Sequence, residues 1–126
     1  MKFKRLKKNG YTVEQATDWD LDTLSKHLHL PSVAVAAFGI TKDMGETSNG
    51  RSKLNHAYVW QNDEGALAFQ AFVGGAKHGV HMNTRDKNGY NYYLPKKVAR
   101  EMLIQFLCYA EMTEGGLEYN NPNAAC

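Results

Sequence analysis

Two segments of eight residues each, Leu54 to Gln61 and Ala66 to Val73, flank the tetrapeptide Asn62-Asp63-Glu64-Gly65. No other stretch constrains the fold as much. Asn and Asp side chains bond their own backbone in turns, and Gly tolerates positive φ, so the four residues suit a tight reversal. The flanks are rich in Val, Phe, Tyr and Trp, which read as strands. A lone hairpin is marginal in water, so the chain must supply further strands and a cover for an apolar face.

The neighbouring segments supply both. After Pro31 the run Ser32 to Thr41 reads as a strand, followed by a loop over Lys42 to Lys53 that lacks periodicity. Gly74-Gly75 closes the hairpin, Gly79 to Thr84 adds a strand, and Asp86-Lys87-Asn88-Gly89 turns the chain into the aromatic segment Tyr90 to Leu94. Pro95 suits a first helical turn, and Val98, Ala99, Met102, Leu103, Phe106, Leu107 and Ala110 recur at helical spacing up to Gly115-Gly116. Leu21, Leu24 and Leu28 mark a second amphipathic helix over Leu21 to Leu30, capped by Asp18 or Asp20. The expected fold class is α+β: an antiparallel sheet of four to five strands, an amphipathic helix near the N-terminus and a longer C-terminal helix packed on one face.

Residues 1–10 read as a basic arm or as a first hairpin strand, because Asn9-Gly10 is a preferred centre for a two-residue turn between Lys2 to Lys7 and Tyr11 to Gln15. The competing reading takes Thr12 and Gln15 as a capping box opening a helix. Residues 117–126 read as a mobile tail, and residues 1–126 as one domain.

Composition narrows the setting. With 43% hydrophobic and 22% charged residues the chain is globular in character. No apolar run approaches the roughly 20 residues that span a bilayer, and Met1 to Asp22 has no secretory pattern. Cys108 falls in the last helix as a buried thiol and Cys126 at the end of the chain, without metal-binding spacing, so a reducing, cytoplasmic location is expected. Lys2, Lys4, Arg5, Lys7 and Lys8 carry five charges before Asn9, which leaves ten basic and thirteen acidic residues after them. Such an asymmetry steers a chain toward nucleic acid or an acidic partner.

Catalytic motifs are missing. Gly39, Gly45 and Gly50 are too far apart for a phosphate cradle, Val73 to His78 lacks the Walker spacing, and no Ser lies between glycines as in a nucleophile elbow. His78 and His81 form the one local histidine cluster, but three residues apart on a strand they point to opposite faces. No catalytic residue, metal site or cofactor is therefore assigned.

The segment Arg85 to Lys97, with Arg100 one turn later, mixes cations with aromatic rings. Tyrosines fill partner pockets or stack on bases, and Lys and Arg neutralise phosphates or carboxylates. Lys96, Lys97 and Arg100 also crowd a helix start, where the dipole disfavours positive charge. Lys87, Tyr90, Tyr92, Lys96, Lys97 and Arg100, joined by Arg51 and Lys53 from the preceding loop, are the expected partner-binding residues. The expected function is a small non-enzymatic binding protein or inhibitor acting on a protein or nucleoprotein complex, for example a phage or mobile-element protein blocking a host nucleic-acid machine. The alternatives are a direct nucleic-acid binder and a small enzyme using His78 or His81 with Tyr90, Tyr92 or Asp63 as acid and base.

Overall fold

In the computed structural model the described residues are 3–46, 50, 52–74 and 79–112. They form α1 (Lys4–Lys8), β1 (Thr12–Gln15), α2 (Leu21–His27), β2 (Ala36–Glu46), β3 (Ser52–Gln61), β4 (Leu67–Val73), β5 (Val80–Asn83) and α3 (Lys96–Met112). The five strands make one antiparallel sheet in the order β1-β2-β3-β4-β5. The α+β class, the two amphipathic helices and the sheet size agree with the sequence reading. The expected tail, residues 117–126, lies outside the described residues.

The hairpin at the centre forms as its turn residues require. Asn62 Oδ1 accepts from the backbone N–H of Glu64 (3.1 Å) and Ala66 (2.9 Å), and Gly65 takes a φ of 84°. Gln61 then pairs with Leu67 and Asn55 with Val73. At the far side of β4, the Thr84 hydroxyl accepts from Phe69 N–H at 2.8 Å and closes the junction with β5.

Strand alternation sorts the side chains onto two faces. One face carries Phe38, Ile40, Ala57, Val59, Leu67, Phe69 and Val73, which pack with Ala99, Leu103, Ile104, Phe106 and Leu107 of α3 into the main core. The other carries Ala37, Trp60 and Ala68, covered by Leu21, Leu24, Leu28 and Leu30 from and after α2. The two helices thus lie on opposite faces. Asp20 caps α2 by accepting from Thr23 N–H at 3.2 Å, and Ser25 accepts from Ala34 N–H at 2.9 Å, tying the exit of the helix to the start of β2.

Four local expectations need correction. Lys4–Lys8 is helical and neither an extended arm nor a strand. Phe3 and Leu6 are both fully buried, and their three-residue spacing puts them on one side of a helix but on opposite sides of a strand. The pair Asn9-Gly10 therefore ends a helix, with Gly10 at φ 90°, and Thr12 and Gln15 lie in β1 and open no helix. The loop expected over Lys42 to Lys53 is largely strand, since Asp43 pairs with Leu54 and Glu46 with Ser52 across a register shift. The ladder there runs beyond the covered core, so its side chains show no apolar alternation. On α3, Val98 is 48% exposed, whereas Ile104 and Cys108 join the buried side. Cys126 lies outside the described residues.

Candidate functional site

The second face of the sheet is only half covered. α2 closes the end that holds Trp60, and the rest presents two cross-strand rows. Register places Thr41, His56, Phe72 and His81 in one row and Gly39, Tyr58, Gln70 and Asn83 in the next. Because these residues share the parity of Trp60 and Ala68, they face away from α3.

The rings on this face touch in sequence. Trp19 meets Tyr58 at 5.7 Å between centroids, Tyr58 meets His56 at 5.8 Å, His56 meets Phe72 at 5.5 Å, and Phe72 meets His81 at 4.6 Å. These separations fall within the range for aromatic pairs. Trp19 and Tyr58 remain 39% and 43% exposed. Phe72 is held in place by its strand ends: a Cβ on Gly79 would lie 2.9 Å from the ring and one on Gly74 3.2 Å. Glycine at both positions lets the backbone close around that ring.

Two adjoining hollows of about 310 Å³ each flank the rings. His56, Tyr58, Phe72 and His81 line the first, and His27, His29, Gly89 and Asn91 line the second. Gln70 and Arg85 belong to both. No carboxylate lines either hollow; on the same face, register puts Glu14 beside Gly39 and Asp43 beside Leu54, toward the β1 side. Arg85 forms no ion pair among the described residues. Asn91 is 5% exposed and donates to Leu28 C=O, yet its Oδ1 finds no partner among the described residues. His29, at the rim, takes a positive φ of 55° where α2 ends. Burial, and secondarily the positive charge of His81, pushes the His56 imidazole below its ordinary pKa of 6.5.

The residues expected to bind a partner do not form one patch. Tyr90 turns edge-on to His29 at 5.1 Å, and the turn Asp86–Gly89 that carries Lys87 borders the second hollow through Gly89. Lys96, Lys97 and Arg100 lie on α3, across the sheet from the open face. Tyr92 is exposed, while its neighbour Tyr93 packs with Trp60 and donates to Ser32 C=O at 2.8 Å. Lys53 shares the parity of Asn55 and Ala57, on the α3 side, and sits eight residues from Gln61, about 26 Å along β3. Arg51 lies outside the described residues.

The described residues of the enzyme alternative share neither hollow. His78 lies outside the described residues, Asp63 is in the β3–β4 turn beside Tyr93, and His81 is reached by neither Tyr90 nor Tyr92 in any ring contact. The histidine pair that the fold makes is His56 with His81, two strands apart with Phe72 between them. No three His, Cys, Asp or Glu side chains among the described residues converge on a metal-sized point. Nor is any described helix long and apolar enough to cross a membrane.

No protein-family model, curated protein or solved structure matches this chain.

Proposed function

We propose that this chain is a small non-enzymatic binding protein that holds a macromolecular partner, a protein or nucleoprotein complex, against the open half of its sheet. The observation that carries this reading is the row of five touching rings from Trp19 to His81, on the half of the second face that α2 leaves open. Solvent-facing aromatic rings in a contiguous row are costly to leave in water and are the side chains that dominate contact energy once covered. Binding is favoured over catalysis because no two of the described candidates His81, Tyr90, Tyr92 and Asp63 line one hollow, and a reaction requires acid and base within hydrogen-bond reach of one substrate.

The test replaces Tyr58 with a photo-crosslinking amino acid, and Lys97 in a second protein, each expressed in the source cell. Illumination should trap a discrete macromolecular species from position 58 and not from position 97. A species trapped from 97 alone moves the site to the Tyr/Lys segment, and no adduct from either removes the binding reading.

A further inference from the structure

We infer that the occupant of this open face is a single-stranded nucleic acid, stacked on Tyr58 and Phe72 with its phosphates directed to Arg85, an inference that rests on the binding reading above. The chemistry of the lining selects it. Flat rings at 4.6–5.8 Å spacings offer π-surfaces to unpaired bases, whose faces are all aromatic, so stacking needs no particular sequence.

Charge points the same way. The ionisable side chains of both hollows are His, Tyr and Arg, and the guanidinium of Arg85, shared between them and without an ion-pair partner among the described residues, is placed to take a phosphate oxygen pair. Glu14 and Asp43 stand on the β1 side of the same face, so a polyanion is repelled there and drawn toward β5. The strand must then cross β3, β4 and β5, a width that accommodates about two or three bases.

The floor supplies groups for base edges. Gln70 and Asn83 lie between the ring row and Arg85, and amides both donate and accept. In the second hollow the buried Asn91 keeps an unmatched Oδ1, an acceptor suited to an exocyclic amine of a base. The left-handed backbone of His29 at the same rim is the ordinary end of α2, with His29 N–H on Lys26 C=O at 3.1 Å and Leu30 N–H on Ser25 C=O at 3.0 Å, and it fixes where that rim lies.

Fluorescence anisotropy with labelled oligouridylate and oligothymidylate, against a duplex of the same length, decides the matter. Single strands should bind more tightly than the duplex. Tyr58→Ala should weaken binding about tenfold, as loss of one stacked base does, and Arg85→Gln should reduce the slope of log K against log salt by about one. Both side chains are exposed, so their loss leaves the fold readable by circular dichroism; Phe72→Leu, which keeps the apolar volume but not the aromatic face, repeats the stacking test inside the row. Absence of oligonucleotide binding, or binding indifferent to Tyr58 and Arg85, overturns the inference. A protein trapped by the crosslinker at position 58 while oligonucleotides fail to bind also overturns it, and leaves the more general binding reading standing.

Discussion

Phe106 and His56 show what single residues contribute to each face. Phe106 is fully buried on the core side of α3, so Phe106→Ala removes a whole buried ring and should cost about 3 to 5 kcal/mol in a urea melt. A loss below about 1 kcal/mol would contradict that burial. This residue was legible in the sequence because helical spacing marks it. His56 was not, because a histidine on a strand gives no sign of what lies across the ladder from it. Its folded-state pKa lies below 6.5, so the unfolded chain binds the proton more readily. The stability it contributes is complete above pH 6.5 and is lost as the pH falls through the depressed folded value. Thermal melts should therefore show a decline below pH 6.5 that is smaller in His56→Gln, and equal declines would remove His56 as the cause.

At the level of elements, α1 and the polar link beneath it are the parts that local rules misread. Asn-Gly has a strong turn preference, but burying both Phe3 and Leu6 against the α3 side overrides it. The Arg5–Glu101 ion pair at 3.0 Å ties the same helix to α3, with both side chains nearly half exposed, so it adds little beyond that apolar contact. The larger contribution comes from Tyr11, whose hydroxyl donates to Leu107 C=O at 3.1 Å and accepts from the Asn55 amide at 3.1 Å. β1, β3 and α3 are linked through that one oxygen. Tyr11→Phe keeps the ring and removes the link, and should destabilise by about 1 to 3 kcal/mol because buried polar groups lose a partner. Chemical denaturation measures this directly, and an unchanged midpoint would show that the link is energetically neutral. The helices α2 and α3 were visible in advance because each carries a one-sided apolar stripe. The continuation of β2 to Glu46 and the start of β3 at Ser52 were not, since strand pairing outside the core leaves no hydrophobic signature.

Across the whole molecule, the sheet separates what the sequence places together. Arg85 to Arg100 is one basic, tyrosine-rich stretch along the chain, yet Arg85 and Tyr90 attend the open face while Lys96, Lys97 and Arg100 start a helix on the other side. Proximity in sequence suggested a single patch; the side of the sheet on which each part lands depends on pairings with distant strands, which periodicity does not report. The distinction has a measurable consequence in the double variant Lys96→Glu, Lys97→Glu. The first turn of α3 holds no acidic residue, and α3 is 17 residues long, so its amino end has an uncompensated positive dipole. Replacing two exposed cations there with anions should raise stability by about 0.3 to 1 kcal/mol per site at low salt, less as salt screens it. The open face is untouched by the change, so affinity for the partner captured at Tyr58 should stay within about twofold of the parent, apart from a weak long-range effect on association rate. Melting and binding measured on the same preparation separate the outcomes. A more stable protein with unchanged affinity places recognition on the Tyr58–Arg85 side, whereas a more stable protein that no longer binds returns it to the start of α3.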